Sequence, residues 1–220
     1  MSKSTSVLGT RLKRVDAKGK IRGEIKFLSD IQEADMRHAA PVFSQVAYGK
    51  LLGIDTRAVE NDPDYIAFFS ARDIPGENQV GVILEDQPLM ADDVVRYVGD
   101  SVGILIAKTA ESAQRLSRLV LVNIEPVPPL FSINESRDAT DNFLHETNLA
   151  CQHQVKRGDL DKAFAEADHI IEAQFETPFQ EHYYLEPQAC IAQVTPEGGI
   201  EILGSIQCPF YVQKAVSKAL

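Results

Sequence analysis

The densest set of side chains able to do chemistry is Gln180-Glu181-His182-Tyr183-Tyr184-Leu185-Glu186-Pro187-Gln188, which offers two carboxylates, an imidazole and two phenols between two predicted strands. On an extended chain Glu181 and His182 project to opposite faces, so the pair does not ligate one metal ion. The helical H-x-x-x-H spacing of zinc chemistry is absent. The remaining histidines, His38, His145, His153 and His169, stand singly and read as structural or surface residues. No nucleophile is set up either: Ser101 and Ser205 lie in no G-x-S-x-G elbow, and Cys190 has no assigned base. A phosphate cradle is missing too. Neither G-x-G-x-x-G nor G-x-x-x-x-G-K occurs, and Gly99 precedes a strand instead of opening a helix.

The elements that must position this cluster follow from periodicity. His38 to Ser44 and Ala47 to Ile54 read as strand material broken by Pro41 and Gly49, and Tyr65-Ile66-Ala67-Phe68-Phe69-Ser70 has the length of a buried strand. Between Val94 and Val127 the chain reads strand, helix, strand. Tyr97-Val98 and Val102 to Ala107 form the first strand, Thr109 caps a helix over Ala110 to Arg118, and Leu119 to Ile124 is the second strand. That order predicts a βαβ unit with its strands parallel or neighbouring in one sheet. Residues 131–154 are polar and irregular and read as a linker. Beyond it, Asp159 caps a helix from Leu160 to Ala167, and His169 to Glu176 and Cys190 to Val194 read as strands. Glu197-Gly198-Gly199 turns the chain into a strand over Ile200 to Gly204. A final helix from Phe210 to Leu220 has no closing Gly, Asn or Pro, which predicts that the chain continues in a larger protein.

Composition bounds the remaining possibilities. The 220 residues are 44% hydrophobic and 25% charged, a globular balance that excludes wholesale disorder. The longest apolar run, Val102 to Ala107, is far short of the roughly 20 residues that span a bilayer, and no secretory h-region follows Met1, so cytoplasmic residence without a membrane is expected. Cys151, Cys190 and Cys208 are odd in number and widely spaced; they predict no disulfide framework and no metal cluster, and each reads as a buried apolar side chain. The formal charge of −10 hides a basic arm, since residues 1–30 carry eight Lys or Arg against three Asp or Glu. Nucleic-acid binding fails on detail: Phe27 is the arm's one aromatic side chain, and the acidic remainder repels a polyanion. A solvated or partner-facing arm is the reading that stands.

A series of short blocks, in order, carries a resemblance. They include Lys20-Ile21-Arg22-Gly23, His38-Ala39-Ala40, Ala71-Arg72-Asp73-Ile74-Pro75-Gly76, Val95-Arg96-Tyr97-Val98-Gly99 and Ile124-Glu125-Pro126-Val127-Pro128. Together they resemble the α/β hammerhead domain that opens the molybdenum-binding subunit of xanthine dehydrogenases and aldehyde oxidoreductases. Gly158-Asp159, Ala167-Asp168-His169 and Gln180 to Pro187 look like the start of the molybdopterin-binding domain that follows. The resemblance implies an α+β fold: hammerhead domain over residues 1–130, linker over 131–154, and the beginning of the molybdopterin domain over 155–220.

It also implies a molybdenum hydroxylase that acts on a purine, an aldehyde or an N-heterocycle with oxygen from water, in which a molybdopterin-held molybdenum passes electrons to [2Fe–2S] clusters and FAD on partner subunits or domains. Within that family the glutamine matching Gln180 hydrogen-bonds the apical oxygen ligand of the metal, a task for a neutral amide. Phe179 departs from the glycine that many members carry beside it. No protein ligand to the metal is expected, and the catalytic base is expected beyond Leu220, in the remainder of the molybdenum subunit. The chain alone is therefore expected to be incomplete and inactive. A free-standing partner-binding module without catalytic activity is the alternative.

Overall fold

The computed structural model describes residue 9 and residues 11–141, 143 and 147–220; His145, read above, lies outside them. In chain order the elements are α1 (Ala17–Ile21), β1 (His38–Phe43), β2 (Gly49–Asp55), β3 (Tyr65–Ser70), β4 (Val94–Val95), β5 (Ser101–Ala107), α2 (Ala110–Ser117), β6 (Leu121–Pro126), α3 (Ile133–Asp138), α4 (Leu160–Ala165), β7 (Cys190–Val194), β8 (Ile200–Gly204) and α5 (Pro209–Ala219). Helices and small antiparallel sheets alternate without a parallel pair among the described residues, an α+β fold. Two compact units are present: residues 38–183 with 218–220, and the described residues up to 37 with 184–217.

The larger unit holds two three-stranded sheets, ordered β1-β5-β3 and β4-β2-β6. Strand β5 is central in the first sheet, where Val102, Leu105 and Ala107 are buried. Its position demands a small residue where β3 crosses closest, and at Gly103 a side chain would collide with the Phe68 ring and the Phe69 carbonyl. Helix α2 covers the sheet through Ala113 and Leu116, which join Val42, Val59, Val95 and Leu105 in one buried cluster. Burial of a leucine of this kind is worth about 1.5–3 kcal/mol.

The start of α2 is fixed by side chains. The Thr109 hydroxyl oxygen accepts from the Ser112 N–H at 3.1 Å, and the Ser112 hydroxyl donates to Asp64 Oδ2 at 2.6 Å, which ties the helix to the approach of β3. Arg115 closes the other side on Asp62 at 2.9 Å. The Asp64 backbone N–H, which donates to Asp62, and then the Arg115 pairing hold the Asp62 carboxyl below its ordinary range.

Several expectations are corrected here. Strands β5 and β6 do not form a βαβ unit in one sheet, because β1 and β3 already pair antiparallel with both edges of β5, and β6 pairs with β2 instead. Tyr97 and Val98 lie in a turn, not a strand. Gly99 at φ +95° allows that turn, and the buried Asp100 accepts from the Arg96 N–H at 2.9 Å across it. The polar stretch 131–154 contains α3, capped reciprocally by Ser132 and Glu135.

Residues 151–220 contain no buried residue. Asp159 Oδ1 does cap α4, accepting from the Lys162 N–H at 3.1 Å, but His169 to Glu176 is not a strand, since no neighbour pairs with it. In the smaller unit β7 and β8 form a two-stranded hairpin from Cys190↔Gly204 to Val194↔Ile200, turned by Gly198 at φ +82°. A lone hairpin covers neither of its own faces. Accordingly Cys190, and with it Cys151 and Cys208, is exposed and not buried. Leu185, whose apolar type would suit a buried strand, is 98% exposed in an irregular segment. No helix among the described residues is long and apolar enough to cross a membrane.

Candidate functional site

Gln180 lies in an irregular stretch between α4 and β7. Among the described residues no ladder partner organises this segment, and the boundary between the two compact units falls within it, between Tyr183 and Tyr184. Local order comes from a side chain folding back on its own backbone. Glu181 Oε1 accepts from the His182 N–H at 2.9 Å and lies 3.5 Å from the Tyr183 N–H, and Tyr183 takes a left-handed φ of +50°. The pair Glu181 and His182 is therefore not laid out along a strand. The side chains of Gln180, Glu181, His182 and Tyr183 are all exposed, and Phe179 stands fully free of neighbours beside Gln180.

The donor chemistry suits an indirect hold on a metal cofactor. Gln180 brings a neutral amide with two N–H donors and one carbonyl acceptor, which adds no charge to whatever it contacts. Among the described residues no three His, Cys, Asp or Glu side chains gather where they could hold a metal ion directly. A molybdenum carried by an organic pterin fits such a segment, because the protein then supplies outer hydrogen bonds and not ligands.

The larger unit also holds a cavity of about 360 Å³, walled by Tyr48, Arg96, Tyr97, Pro128 and Phe131, that no sequence motif marks. Its named wall residues come from three segments far apart in the chain, so no spacing in the sequence announces them. It does not include Gln180.

Comparison with known proteins places this geometry in a class. Residues 22–128 match the family model described as aldehyde oxidase and xanthine dehydrogenase, a/b hammerhead domain, and residues 142–220 match the molybdopterin cofactor-binding domain. Xanthine dehydrogenase 2 of Arabidopsis thaliana is 34% identical over 94% of this chain, and the nicotinate dehydrogenase large molybdopterin subunit of Eubacterium barkeri is 29% identical over all of it. The chain spans 15% of the length of the first and 52% of the second. Among solved structures, the aldehyde oxidoreductase of Desulfovibrio gigas superposes with a TM-score of 0.87 at 23% identity, covering 94% of this chain and 24% of that one. Quinoline 2-oxidoreductase of Pseudomonas putida 86 does so at 0.83 and 21%, over 96% and 28% respectively. These two likenesses show a shared fold.

The class is thus a hammerhead domain followed by molybdopterin cofactor-binding sequence. The chain belongs to the xanthine dehydrogenase and aldehyde oxidoreductase family, on its molybdenum-binding side.

Proposed function

We propose that this chain forms the N-terminal part of a molybdenum hydroxylase large subunit, which hydroxylates a purine, an aldehyde or an N-heterocycle with oxygen taken from water. The observation that carries the reading is the ordered succession of the two domain matches across residues 22–220, with Gln180 exposed inside the second. In this reading residues 1–130 are the hammerhead domain, 131–154 the connection and 155–220 the opening of the cofactor domain. The cofactor, when bound, supplies the two-electron oxidation chemistry. The chain's own contribution is positional. Gln180 donates an amide N–H to the bound cofactor without adding charge, with the exposed Phe179 ring beside it. The catalytic base and the pterin-binding loops belong to the remainder of the molybdenum subunit, and iron–sulfur and FAD subunits or domains accept the electrons.

The test is made on the complete enzyme that contains this sequence. Molybdenum and pterin are quantified, and a purine, an aldehyde and an N-heterocycle are offered in ¹⁸O-labelled water. The reading expects stoichiometric molybdenum and label in the product of at least one substrate. A complete enzyme without molybdenum, or a product that carries no label, overturns it.

A further inference from the structure

We propose that Glu181 is a positioning residue for Gln180: its carboxylate, folded back onto the main chain, acts as the acceptor that fixes the local backbone from which the Gln180 amide is presented. The inference rests on the reading of Gln180 given above. Among the described residues, the hydrogen bond from the His182 N–H to Glu181 Oε1 at 2.9 Å and the longer approach of the Tyr183 N–H at 3.5 Å are the polar contacts made between Phe175 and Leu185. The stretch itself contains no helix or strand. What order it has therefore comes from one side chain.

The backbone it holds is a demanding one. Tyr183 sits at φ +50°, a region that a bulky side chain enters only when something else compensates. A carboxylate is suited to that task, because a charged acceptor binds backbone amides more strongly than a neutral one, and at an exposed site it keeps its water. Gln180 is bonded directly to Glu181, so loss of that hydrogen-bonded backbone conformation changes the direction in which its amide points. Other uses of Glu181 find less support: among the described residues no group of three His, Cys, Asp or Glu side chains, Glu181 included, gathers where a metal ion could be held.

The experiment uses the complete enzyme, in cofactor-free and loaded forms, with Glu181→Ala, Glu181→Gln, Gln180→Ala and the Glu181→Ala/Gln180→Ala double variant. In the cofactor-free form, millisecond hydrogen–deuterium exchange of the peptide 179–185 reads that local backbone. Glu181→Ala is expected to speed exchange roughly three- to ten-fold, and Glu181→Gln, whose amide oxygen still accepts, to recover most of the protection. In the loaded form the Mo(V) electron paramagnetic resonance signature reads the consequence. Glu181→Ala is expected to shift it in the same direction as Gln180→Ala, with nothing further in the double variant.

Unchanged exchange in Glu181→Ala overturns the positioning role. So does an altered spectrum in Gln180→Ala beside an unaltered one in Glu181→Ala. If Glu181→Gln is as damaging as Glu181→Ala, the charge and not the acceptor matters, and the role as stated is wrong. A Gln180→Ala enzyme with an unaltered spectrum and turnover instead overturns the reading of Gln180, and is told apart by that variant alone.

Discussion

Gln180 is an amide held out from the surface of the segment that carries it, so its removal leaves no cavity and exposes no core. Gln180→Ala in the complete enzyme is expected to lower kcat roughly 10- to 150-fold, the range for one hydrogen bond to a charged centre felt in the transition state, with Tm unchanged. Turnover together with thermal melting checks both halves. Leu185, five positions on, has the composition of a core residue but meets no partner in this chain. Leu185→Ala in the 220-residue chain is therefore expected to stay within about 0.5 kcal/mol of the parent in urea unfolding. At this scale the sequence was informative about chemistry and poor about burial. The residue types from Gln180 to Gln188 single the segment out, whereas exposure depends on what lies opposite, which Leu185, Cys190 and Cys208 do not disclose. The Glu181 contact could not be read from spacing either, because a carboxylate accepting from the next amides leaves no periodic trace.

Elements behave differently according to whether their signals are local. Helix α2 was legible because its cap, its first-turn Glu111 and its buried Leu116 all lie within eight residues of Thr109. Helix α3 carried an equally plain Ser132-x-x-Glu135 capping box inside a stretch whose polarity pointed to a loop. Strand pairing is the nonlocal part. Nothing between Val94 and Val127 reveals that β1 and β3, from far earlier in the chain, occupy both sides of β5. Leu116 tests the helix: Leu116→Ala empties a side chain that is 1% exposed and is expected to cost about 2–5 kcal/mol in urea unfolding of the chain. At the end of β2, the Arg57 guanidinium, which donates to both Asp55 carboxylate oxygens, and the Arg57 backbone N–H lower the Asp55 carboxyl from 3.8 to about 2. The group is charged in both folded and unfolded chains at neutral pH, and only between its two pKa values do the folded and unfolded chains differ in protonation. Its stabilisation is therefore present above pH 3.8 and is lost as the pH falls through about 2. A carboxyl titration followed by NMR is expected to place the Asp55 midpoint near that lower value, and Arg57→Ala to return it towards the ordinary range.

Across the whole molecule, buried side chains are distributed unevenly. The residues of the apolar core run from Ala40 to Val120, and none lies in 151–220, where Ile171, Phe175, Phe179 and Leu185 are exposed. Amide protection follows buried packing and ladder bonds, so local opening should cost least where both are missing. The irregular stretch around residue 180 and the lone β7–β8 hairpin have few such contacts, while β5 is paired on both edges and covered by α2. In the 220-residue chain, hydrogen exchange is expected to be slowest in β5 and in the buried turn of α2, and at least about 100-fold faster in 166–189, a gap of roughly 3 kcal/mol in opening free energy. Limited proteolysis samples the same openings. The first cuts are expected within 131–154 or beyond it, leaving the sheet pair intact. Early cleavage between Val94 and Val127, or protection at 166–189 equal to that of β5, would show that the C-terminal residues have a folded support that their exposure does not reveal.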